Sequence, residues 1–79
     1  MAENELNARV RAVIARTFEL EADALPAEPD ADNIQKWDSL GHLALIEALE
    51  EEFGLELDHA AAVEMLSASA IVEKLSGQV

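Results

Sequence analysis

The chain has 79 residues, no cysteine, and 17 acidic against 5 basic side chains, for a formal charge of −12. That length fits a single domain over residues 1–79 with a thin core; the missing thiols exclude disulfides and thiolate metal sites. The negative field disfavours nucleic acid and anionic membranes as partners and favours cationic protein surfaces. Ala and Leu dominate while β-branched and aromatic residues are scarce, which favours an all-α fold. The opening Ala2-Glu3-Asn4-Glu5 is acidic, unlike the basic start of a secretory leader. Apolar runs such as Leu43-Ala44-Leu45-Ile46 are too short to span a bilayer. The expectation is a soluble, cytoplasmic monomer without membrane insertion.

In chain order, residues 4–18 read as a helix. Leu6, Val10, Val13, Ile14, Thr17 and Phe18 recur at spacings of three and four, with Asn4 placed to cap. Arg9, Arg11 and Arg16 fall largely on the wet side. Residues 19–38 read as a loop broken by Pro26 and Pro29, with Leu20, Leu25 and Ile34 as apolar anchors that keep it ordered. A second helix follows over 39–53, capped by Asp38 and stopped by Gly54 in a left-handed conformation. Its inward face is Leu45, Ile46, Leu49 and Phe53, with His42 beside them. A short helix is expected over 60–65. A last one spans 68–76, capped by Ser67 or Ser69, with Ile71, Val72 and Leu75 inward. The prediction is a small four-helix bundle, three main helices and one short. Its expected core is Leu6, Val10, Ile14, Phe18, Leu45, Ile46, Leu49, Phe53, Leu57, Met65, Ile71, Val72 and Leu75.

The chemistry concentrates at Trp37-Asp38-Ser39-Leu40, where the long loop meets an amphipathic helix. Ser39 falls in the first turn, where another protein can reach its hydroxyl and where free N–H groups favour an attached phosphodiester. Asp-Ser ahead of an apolar helix is equally an ordinary capping signal. The outer face of the same helix adds Leu40 and Leu43 outside the core stripe, near Glu47, Glu50 and Glu51. Such a mixed apolar and acidic surface suits a basic protein patch. The run Glu50-Glu51-Glu52 stands in the last turn, where acids oppose the helix dipole, so it reads as a surface kept for binding, with an ordinary solvated acidic face as the alternative.

Residues 38–53, Asp-Ser-Leu-Gly-His-Leu-Ala-Leu-Ile-Glu-Ala-Leu-Glu-Glu-Glu-Phe, resemble the second helix of acyl carrier proteins, and the similarity extends over nearly the whole chain. The resemblance implies that Ser39, flanked by Asp38 and Leu40, is esterified by 4′-phosphopantetheine taken from coenzyme A by a phosphopantetheinyl transferase. It further implies a non-catalytic carrier of acyl or aminoacyl thioesters. Leu43, Glu50 and Glu51 match positions that resemble the family's recognition surface for loading and processing enzymes with basic docking patches. Glu47 joins them by proximity. Ala44 stands where carriers of fatty-acid synthesis usually have an acid, Glu47 where they have an apolar residue, and Trp37 where they have a small one. Trp-Asp-Ser-Leu-Gly-His looks more like carriers of specialised pathways, such as natural-product or surface-polysaccharide assembly.

Three other readings compete. His42, three residues after Ser39, is spaced to act as a base for a serine nucleophile, but it borders the core stripe and no third group orients it. Asp30-x-Asp32-Asn33 hints at a calcium loop, yet Gln35 and Gly41 occupy the positions that need Gly and Glu; no metal site is expected. The remaining alternative is an acidic helical adaptor that binds proteins without a prosthetic group. Trp37 is expected to cover one end of the bundle.

Overall fold

The apolar spacing folds into four α-helices in the computed structural model, which describes residues 2–78. They are α1 (Glu3–Thr17), α2 (Ser39–Phe53), α3 (His59–Ala62) and α4 (Ala68–Ser76). No strand forms among the described residues; an isolated bridge pairs Asp30 with Ser67. The molecule is therefore the all-α bundle that composition and periodicity predict. No helix among the described residues is long and apolar enough to cross a membrane.

α1 is the central element and packs along both α2 and α4. It contributes Leu6, Val10, Val13, Ile14 and Ala15 to the interior. α2 adds Leu45, Ile46 and Leu49, and α4 adds Ala68, Ile71, Val72 and Leu75. Two predicted core residues need correction, since Phe53 and Leu57 are only half-buried at the edge of this cluster. Phe53 lies under the Arg9 guanidinium, 4.6 Å from its ring centroid, a cation–π contact at the surface. α1 also starts one residue earlier than predicted. Asn4 lies inside the first turn and Ala2 takes the cap position without a side-chain bond. Glu3 and Glu5 in that turn supply the negative charge that suits a helix N-terminus.

The loop between α1 and α2 is ordered, and its anchors act as the spacing predicts. Ile34 and Pro29 are buried, Leu20 and Leu25 pack against the core, and a 3₁₀ turn forms at Ala22–Ala24. Arg11 is not simply wet: its Nη1 donates to the carbonyls of Pro26 and Ala27 at 3.2 and 3.1 Å. Ala31 N–H donates to the Leu66 carbonyl at 3.0 Å and Ala68 N–H to that of Pro29 at 2.8 Å, stitching the loop to the entry of α4.

α3 is shorter than the predicted 60–65. Asp58 caps it by accepting the Ala61 N–H at 2.8 Å. The N–H groups of Glu64 and Met65 bond three residues back instead of four, ending the α-helix and turning the Met65 side chain fully inward. α4 is capped by Ser67, whose Oγ accepts the Ala70 N–H at 3.0 Å. Ser69, the other candidate, donates its hydroxyl to the Glu28 carboxylate.

Candidate functional site

Ser39 is the first residue of α2, and its surroundings follow from how that helix begins. Asp38 is extended, and its Oδ1 accepts the Gly41 N–H at 2.8 Å, so the aspartate closes the helix end as its sequence position predicts. The cap thereby falls to Asp38 and leaves the adjacent Ser39 exposed at the surface. Leu40 and Leu43, the next outward residues, are 78% and 62% exposed.

Gly41 is a requirement that periodicity does not show. A Cβ there would collide with the Lys36 carbonyl oxygen and come within 3.0 Å of Phe18 Cε1. The loop thus lies flush against the first turn of α2, which fixes the height at which Ser39 is presented. Beneath it, Trp37 is buried and packs on Phe18, ring centroids 5.5 Å apart. It does cover an end of the bundle.

The indole also makes a bond that the sequence reading missed. Trp37 Nε1 donates to His42 Nδ1 at 3.0 Å, and His42 Nε2 lies 2.8 Å from the Ala62 carbonyl. An indole N–H can only donate and a carbonyl can only accept, so the two contacts call for His42 Nδ1 as acceptor and Nε2–H as donor. One chain of hydrogen bonds therefore joins the loop, α2 and the end of α3. Both imidazole nitrogens are engaged within it.

Beside Ser39 runs a groove of about 480 Å³ lined by Ala31, Trp37, Asp38, Ser39, His42, Leu43 and Leu66. Leu66 and the neighbouring Val63 are 47% and 50% exposed. Together with Leu40 and Leu43 they put four large apolar side chains at the surface of this end of the molecule.

The acidic residues divide in a way the sequence does not disclose. Glu47 and Glu51 are exposed on α2. Glu50, predicted to belong to the same recognition surface, is half-buried and its Oε2 accepts the Leu57 N–H at 2.7 Å, tying α2 to the segment after it. Glu52 lies 2.9 Å from Arg9 Nη2 and 3.6 Å from Arg16 Nη2. Hydrogen bonding from Arg9, reinforced by the charges of Arg9 and Arg16, holds its carboxyl below the ordinary value of 4.5. The view of Glu50-Glu51-Glu52 as a run maintained against stability is thus corrected, because two of the three acids have structural partners.

The turn at Asp30 is occupied by its own backbone. Asp30 Oδ1 accepts the N–H groups of Asp32 and Asn33 at 2.8 and 2.9 Å, and Asn33 Oδ1 accepts that of Asp30 at 2.9 Å. Among the described residues no group of three or more His, Asp or Glu is placed to hold a metal ion. What this end offers chemically is an exposed serine at a loop–helix junction, beside a mixed groove, with two exposed acids further along the same helix. No family model matches the chain.

Proposed function

We propose that the protein is a carrier of the acyl-carrier type, modified on Ser39 by 4′-phosphopantetheine and docked by its partners through α2. The observation that carries this reading is the exposed Ser39 in the first turn of α2, next to an Asp38 that takes the capping role. A bulky phosphodiester fits there, since Leu40 and Leu43 on the same turn project into solvent. In the modification step Ser39 Oγ attacks the phosphorus of coenzyme A that bears pantetheine. A new O–P bond forms, the pyrophosphate bond breaks, adenosine 3′,5′-bisphosphate leaves, and the hydroxyl proton passes to a base of the transferase. Magnesium belongs to that enzyme's reaction. Once attached, 4′-phosphopantetheine supplies a thiol on which an acyl or aminoacyl group is carried as a thioester.

The rest of the chain presents and steers. Asp38 and Gly41 set the position of Ser39, while Glu47 and Glu51 attract basic patches on loading and processing enzymes; such encounters are fast, weak and sensitive to salt. Catalysis by Ser39 with His42 as base draws no support, because both His42 nitrogens already face Trp37 and Ala62. The departures at Trp37, Ala44 and Glu47 favour a carrier of a specialised pathway, working in the cytoplasm. Incubation with coenzyme A and a broad-specificity phosphopantetheinyl transferase is expected to add one arm by intact mass, and none to Ser39→Ala. An unmodified wild type would leave the adaptor reading. Reversing the charges of Glu47 and Glu51 together is expected to slow modification at low salt and to matter little at high salt; equal rates at low salt would remove these acids from the docking surface.

A further inference from the structure

We infer that a group attached to Ser39 lies outside the bundle, in the groove toward Leu66, and that the Trp37–His42–Ala62 chain bars its way into the core. The identity of the attached group rests on the carrier reading. The inference adds the class of cargo: acyl or aminoacyl groups short or polar enough to need no apolar shelter.

Ser39 lines the groove itself, so anything esterified to its oxygen starts there. Leu43 and Leu66 give the groove apolar walls open to solvent, and Asp38, Ser39 and His42 give it polar edges. A pantetheine arm, with a gem-dimethyl carbon and two amides, matches that mixture. The path inward is different. Leu45 and Leu49 follow His42 along one face of α2, and with Met65 and Ile71 they have no exposed surface. His42 lines the groove, bound on one side to the Trp37 indole and on the other to the carbonyl that ends α3. The indole is buried against Phe18. An alkyl chain entering here must part His42 from Trp37 or from Ala62. Parting it from Trp37 leaves the buried indole N–H without a partner, which is the costly way to lose a hydrogen bond, and parting it from Ala62 leaves the half-buried imidazole N–H unpaired.

The test needs no transferase, so it stands or falls separately from the carrier reading. The chain lacks cysteine, and Ser39→Cys can be coupled as mixed disulfides to alkyl methanethiosulfonates from ethyl to dodecyl. Thermal midpoints across the series are expected to stay within about 2 °C, far less than burying a long alkyl chain in a domain this size produces. Methyl chemical-shift changes in the dodecyl conjugate are expected at Leu43 and Leu66. A midpoint that climbs with chain length, with shifts at Leu45, Leu49, Met65 and Ile71, would overturn the inference. So would a dodecyl conjugate that perturbs neither set, since the groove would then be empty. Adding Trp37→Phe keeps an aromatic ring and removes the N–H. In that background the midpoint is expected to rise from ethyl to dodecyl, and an unchanged flat series would show that the hydrogen-bonded chain is not the barrier.

Discussion

The two ends of α2 are held in place by different physics. Toward its C-terminus, α2 lies against α1 with Leu45 and Leu49 fully buried, and Arg9 closes the edge by bonding the Glu52 carboxylate and stacking over Phe53. Near its N-terminus the neighbouring α3 has only four residues, none of them fully buried; Ala61 and Ala62 pack at the edge of the core and the Ala62 carbonyl is bonded to His42. Four large apolar side chains, Leu40, Leu43, Val63 and Leu66, stay exposed at that end. Hydrophobic burial gives the first end its stability. At the second, the buried Trp37–Phe18 pair and directed hydrogen bonds hold the geometry while those four side chains stay outside, so an apolar surface remains ordered.

The largest expected effect of this division is a contrast between two leucines of one helix. Leu49→Ala removes a fully buried side chain and is expected to cost about 2–5 kcal/mol in urea unfolding, a large share of what so small a domain has. Leu43→Ala is expected to change stability by about 0.5 kcal/mol or less. Comparable losses would mean that Leu43 is part of the core.

Next in size is Gly41→Ala. Its methyl meets the Lys36 backbone oxygen, which cannot swing aside as a flexible side chain would, so a loss of roughly 1–3 kcal/mol is expected. The displacement of the loop should also be visible as a change in Trp37 fluorescence. An Ala variant as stable as wild type, with unaltered emission, would show that the loop–helix contact can open to admit a methyl group.

The smallest effect concerns the opposite end and depends on pH. Because Arg9 lowers the Glu52 carboxyl below 4.5 in the folded state, their pairing stabilises the fold above that value. The contribution is lost as pH falls through the lower folded value. The stability difference between wild type and Arg9→Gln should therefore narrow as the solution is acidified from neutrality. A difference that is constant with pH would assign the role of Arg9 to its stacking on Phe53 alone. Lys74 shows the mirror case: its bond to Glu64 raises its ammonium above 10.5, so that tie from α4 to the segment after α3 weakens only as pH rises through the raised value.

The same contrast explains what the sequence makes legible. The limits of α2 and α4, the Asp38 cap and the left-handed Gly54, with φ of 64°, are local signals written within a few residues of where they act. The exposure of Leu40 and Leu43 follows from helical periodicity. By contrast, Glu52 finds Arg9 across 43 positions and His42 finds Ala62 across 20. Nothing in the local pattern distinguishes Glu52 from its exposed neighbour Glu51, or marks Glu50 as the acceptor for Leu57. The end of α3 depends on Met65 turning into a core assembled by distant helices.

The proposed modification of Ser39 can be read from the mass of the protein recovered from the cells that make it. Fragmentation of the peptide spanning Trp37 to Leu43 is expected to place one phosphopantetheine, free or acylated, on Ser39. The peptide recovered only with an unmodified serine would rule out the proposed modification.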